Sequence, residues 1–130
     1  MHPDRLQGPL RGAIFAAAAA VVLYLSLAPS DGLPSVSLWD KAQHALAWGA
    51  LTGLGLALAP RRWRAVAGFT LLLGVAVEIL QATMGFGRMG DWRDLVADAV
   101  GILAAIRLTQ AIQRLRRRPA PVGDSPDPSS

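Results

Sequence analysis

Three residues stand out for their chemistry: His44, Glu78 and Asp98. Each lies in or beside an apolar stretch, where an unpaired charge costs several kcal/mol, on the order of 3 or more. Glu78 is the only glutamate in the chain and Lys41 the only lysine. Asp40, Lys41, Gln81, Arg88, Asp91 and Asp94 surround them in sequence. Helical spacing gathers this set onto shared faces: Asp40 with His44 and Asp94 with Asp98 at i,i+4, and Glu78 with Gln81 at i,i+3. An imidazole beside a carboxylate can act as a general acid or base. Asp40, His44, Glu78 and Asp98 are also a donor set for a divalent metal. Arg88 with Lys41 can contact phosphate or carboxylate, while Glu78, Gln81 and Asp98 orient the pocket. No recognisable nucleophile motif or metal signature accompanies them, and there is no cysteine. A non-catalytic binding pocket without a cofactor is therefore expected ahead of an enzyme, with a divalent metal as the variant.

Several positions have plainer readings. Asp40 followed by Gln43 fits a capping box, and Asp91 or Asp94 can cap the helix that follows. Lys41 and Arg93 read as interfacial anchors ahead of site residues. Gln81 can satisfy a backbone group, and His44 alone is compatible with a structural role. Glu78 and Asp98 resist such readings, because neither sits at a cap. For them a structural ion pair with Arg88 or His44 and a functional pocket both stay open.

The elements that must position these residues are apolar blocks at residues 12–28, 41–59, 65–83 and 94–112. Runs near 20 apolar residues match the hydrocarbon core of a bilayer, roughly 30 Å thick. The expected fold is all-α: an integral membrane four-helix bundle over residues 1–112, then a cytoplasmic tail over residues 113–130, first basic and then disordered. The first block also resembles a signal peptide ending at Ser26-Leu27-Ala28, but an uncleaved helix is expected. Arg5, Arg11, Arg61, Arg62, Arg64, Arg107, Arg114, Arg116, Arg117 and Arg118 fall on one side of the four-span arrangement; only Lys41, Arg88 and Arg93 fall on the other. The positive-inside rule then makes both termini cytoplasmic and turns the polar residues outward. From the rise per residue, His44, Glu78 and Asp98 lie roughly 6–10 Å inside their helices, at one depth. Gly49 and Gly53, and Ala97, Gly101 and Ala105, form small-residue lines suited to close helix packing.

The residues at these positions resemble the VanZ-like family of small bacterial membrane proteins. The resemblance covers residues 12–110. It rests on Asp40-Lys41-x-x-His44, Glu78-x-x-Gln81, Gly87-Arg88 and Asp94-x-x-Ala97-Asp98-x-x-Gly101. Many family members have Asn in place of Asp98, and the aromatic that often follows the histidine is replaced by Ala45, with Trp48 a turn later. The resemblance implies a four-helix, multi-pass protein of the bacterial cytoplasmic membrane and a link to teicoplanin resistance, without a settled biochemical activity.

Three functions follow as expectations. The first is an envelope protein whose outer-leaflet pocket recognises a lipid head group or cell-wall precursor. The second is an enzyme acting on lipid-linked phosphate or ester groups, with His44 as acid or base and Glu78 or Asp98 as its partner. The third is a scaffold for another envelope protein. Nucleic acid is not an expected partner: the arginine-rich C-terminus has no interleaved aromatics and fits topology and anionic lipid instead. Transport is disfavoured because the charges cluster at one end and not near the midplane.

Overall fold

The computed structural model describes residues 4–28, 38–85 and 90–117. They form four helices: α1 Asp4–Leu27, α2 Leu38–Leu58, α3 Trp63–Met84 and α4 Trp92–Arg116, with a short 3₁₀ turn at Pro60–Arg62. All the described elements are helical. Alanine and leucine dominate the interiors, and both are strong helix formers. The ends follow local chemistry. Pro60 cannot extend α2 and opens the 3₁₀ turn. Gly85 closes α3 in the left-handed region at φ 65°, a conformation that glycine adopts without a Cβ penalty. Asp91 caps α4 by accepting the Arg93 N–H at 2.9 Å. The cap is thus Asp91, which frees Asp94 for another task.

The helices run past the apolar blocks. α4 continues through Arg114 to Arg116, so the basic run begins as helix and not as tail. Residues 118–130, expected to be disordered, lie outside the described residues.

Three segments are long and apolar enough to cross a membrane: Gln7–Leu27, Pro60–Met84 and Trp92–Arg116. α2 is of similar length, but Asp40, Lys41, Gln43 and His44 dilute its first two turns. This helix, absent from the three apolar spans, is also the central one. It packs on α1, α3 and most extensively on α4. Trp48, Leu51, Thr52 and Leu56 of α2 are all 3 % exposed or less. Large side chains such as Tyr24, Leu72, Val96, Val100 and Leu103 instead point outward. An apolar exterior around a partly polar interior suits a hydrocarbon solvent.

The α2–α4 contact is backbone against backbone. A Cβ on Gly49 would lie 3.2 Å from the Gly101 carbonyl oxygen, and one on Gly101 would collide with the carbonyl oxygen of Ala45. Gly53, expected on the same line, has nothing within 4 Å of its Cβ position, so the contact uses Ala45, Gly49 and Gly101. Mid-bundle, α2 and α3 share a polar ladder that composition had hidden. Trp48 Nε1 donates to the Thr70 carbonyl at 2.9 Å, and Thr52 Oγ1 donates to Thr70 Oγ1 at 3.2 Å. Interhelical hydrogen bonds of this kind hold helices together where lipid provides no hydrophobic drive.

Candidate functional site

The polar residues meet where the N-termini of α2 and α4 stand beside the C-terminal part of α3. α2 and α4 cross at Gly101 and Ala45, less than a turn beyond Asp98 and His44. That close approach forces the two side chains together: His44 Nδ1 lies 2.9 Å from Asp98 Oδ1. Both are buried, at 6 % and 0 % side-chain exposure. The imidazole also stacks on Trp48 one turn later, with centroids 5.7 Å apart and planes 17° from parallel. Asp98 and Trp48 thus fix the ring, and His44 Nε2 is turned toward Asp94 Oδ2 at 4.0 Å.

Lys41 was expected as an interfacial anchor or a phosphate contact. Instead its ammonium group is held inside the cluster, 2.7 Å from Asp94 Oδ1 and 3.1 Å from Asp91 Oδ2. The cation is half-buried and committed to two carboxylates. Asp91 lies just outside the span beginning at Trp92. Its carboxyl is held below the usual carboxylate range, first by the Arg93 N–H and then by Lys41.

Glu78 belongs to the same cluster from the α3 side. Its Oε2 accepts the Asp91 N–H at 2.9 Å, which ties the approach to α4 down onto α3. Oε1 is buried with no hydrogen-bond partner among the described residues, and the same holds for Asp98 Oδ2. Both acids thus turn into the bundle. Gly74, one turn before Glu78, faces Asp98 from α3: a Cβ there would stand 3.0 Å from Asp98 Oδ2 and 3.0 Å from Trp48 Nε1. Sequence reasoning missed Gly74, Trp48 and the Thr52–Thr70 pair. The spacing of Gly74 and Glu78, i,i+4 on one face, was the available signal for the first.

Of the expected residues, Asp40, Lys41, His44, Glu78, Asp91, Asp94 and Asp98 come together. Gln81 does not: its amide donates to the Ser26 carbonyl at 2.8 Å and ties α3 to α1. Arg88 lies outside the described residues. Arg93 is exposed, with its guanidinium 5.7 Å from the Trp92 ring, as expected of an interfacial residue.

Two overlapping groups have metal-ligand geometry, with one donor atom per residue and all within 4.8 Å: Asp40, His44 and Asp94, and His44, Glu78 and Asp98. Beside them opens a groove of about 430 Å³ between α1 and α2. Val22 and Leu25 give it an apolar wall, and Asp40, Gln43 and His44 a polar one. The arrangement can orient an imidazole for proton transfer, hold a cation, or seat a molecule with one polar and one apolar part. No family model, curated protein or solved structure matches the chain.

Proposed function

We propose that this chain is a VanZ-like, four-span protein of the bacterial cytoplasmic membrane, with both termini in the cytoplasm. Its polar end faces the outer leaflet and recognises the head group of a lipid or of a lipid-linked cell-wall precursor. Three apolar segments and the outward-facing leucines and valines support the membrane setting. α2, shielded by its three neighbours, makes the fourth span. The arginines at the opposite end support the orientation.

The observation that carries the ligand class is the two-sided groove. Apolar α1 residues and the Asp40–Gln43–His44 edge of α2 line one space, which is the shape of an amphiphile site. Native mass spectrometry of detergent-purified protein, offered phosphatidylethanolamine, phosphatidylglycerol and a polyprenyl diphosphate, tests it. One of these is retained by the wild type and lost at least tenfold in Gln43→Trp, which fills the groove from an exposed position. Equal retention by both proteins, or none by either, contradicts the reading.

A second reading is hydrolysis of a lipid-linked phosphate or ester. It is favoured by one feature: His44 lines the groove while Asp98 anchors its Nδ1. That leaves Nε2 for general acid–base work. Turnover of the retained lipid that disappears in His44→Ala supports this reading, and retention without turnover excludes it for the lipids tested.

A further inference from the structure

We propose that His44, Glu78 and Asp98 hold a divalent cation between α2, α3 and α4. The inference shares a pocket with the head-group reading but does not need that reading's ligand.

Charge sets the problem. The cluster gathers Glu78, Asp91, Asp94 and Asp98 around one described lysine, and Lys41 is spent on Asp91 and Asp94. Carboxylates taken out of water require hydrogen bonds or a cation. Asp98, 0 % exposed, uses Oδ1 on His44 and leaves Oδ2 without a partner. Glu78 uses Oε2 on the Asp91 N–H and leaves Oε1 likewise. Two orphaned oxygens on facing helices are an unusual cost, since native structures satisfy most buried polar atoms.

Geometry gives the answer. One donor atom from each of His44, Glu78 and Asp98 lies within 4.8 Å of the other two. Gly74 keeps the α3 side open, because a methyl group there would stand 3.0 Å from the orphaned Asp98 oxygen. The alternative group, Asp40, His44 and Asp94, is the weaker choice: Lys41 already neutralises Asp94 at 2.7 Å and would repel a second cation. One imidazole with two carboxylates suits zinc or manganese.

The test uses full-length protein in detergent, stripped with chelator and dialysed against Zn²⁺ or Mn²⁺ without added lipid. Bound metal is measured by elemental mass spectrometry, and Tm is measured with and without metal. The wild type takes up one equivalent of at least one metal, and its Tm rises. Glu78→Gln, which keeps an acceptor for the Asp91 N–H, and Gly74→Ala each weaken binding at least tenfold. Their metal-free Tm confirms that they fold. Arg61→Gln, at the far end, binds as the wild type does.

No stoichiometric metal in the wild type overturns the inference, as does unchanged affinity in both site variants. Loss of Tm in Arg88→Gln with no metal bound by the wild type also overturns it, and identifies that arginine as the missing cation. Lipid retention measured on the same samples separates the two proposals. Retention without metal sinks only the cation site, and metal without retention sinks only the head-group reading.

Discussion

The two ends of the bundle solve opposite electrostatic problems. At the polar end, polar groups face inward and pair across helices: Lys41 with Asp91 and Asp94 as ions, and His44 with Asp98 through a hydrogen bond. At the other end, Arg11, Arg61 and Arg62 rim a cavity of about 670 Å³ whose floor includes Phe15, Gly55, Leu58 and Val66. Among the described residues, no acidic side chain lines it. Arg11 donates to Gln7 Oε1, 3.2 Å away, and Arg64 lies over the Trp63 ring at 5.3 Å. One end is built from pairs across helices; the other presents a single sign outward. A charge inside the bundle has no solvent to screen it and must be positioned to the ångström. A charge at the rim needs only to reach water or a head group.

The largest test of this contrast removes one partner from each end. Asp98→Ala breaks a buried pair and is expected to cost about 4 kcal/mol of stability in detergent unfolding. Arg61→Ala is expected to change stability by less than about 0.5 kcal/mol. Comparable losses would mean that the arginine end is structural too.

Next in size is the same substitution at two glycines. Gly101→Ala drives a methyl group against the backbone oxygen of Ala45, which only a helix shift relieves, for about 3 kcal/mol. Gly55→Ala meets the side-chain ends of Val66 and Phe15, at 2.6 and 2.8 Å, which can turn aside for about 1 kcal/mol. Thermal unfolding of both variants ranks them. The reverse order would move the tightest contact to the arginine end.

The smallest effect is at Asp91. Its carboxyl is held below the usual range by the Arg93 N–H and Lys41. A depressed folded value stabilises the protein above the unfolded value, near 4, and that contribution vanishes as pH falls through the folded value. The Tm advantage of wild type over Asp91→Ala should therefore be full at neutral pH and shrink on acidification below about 4. An advantage that grows with acid would contradict the assignment.

Much of this was legible in the sequence because burial of charge is costly enough to leave a trace. Glu78 and Asp98 stood out inside apolar runs, and helix rise brought them level with His44. Lys41 was misread. Its partners lie fifty and fifty-three positions away, and nothing local distinguishes an ion-paired lysine from an interfacial one. Gly53 and Gly49 looked equivalent, yet only Gly49 faces α4, a difference of helix rotation that small-residue spacing cannot register. Trp48, Thr52 and Thr70 were hidden for another reason: an uncharged side chain with a single N–H or O–H donor is unremarkable in an apolar helix until a partner faces it. α2 is not among the three apolar spans because its polar residues are concentrated in its first two turns, where they face the other helices.

The most direct test of the polar centre is a double-mutant cycle on His44→Ala and Asp98→Ala, read by equilibrium unfolding in detergent. A buried pair built by the α2–α4 crossing predicts a coupling of about 2 kcal/mol, with the double variant far less damaged than the sum of the singles. Additivity to within about 0.5 kcal/mol would mean that the two residues act independently, and the centre described here would not exist.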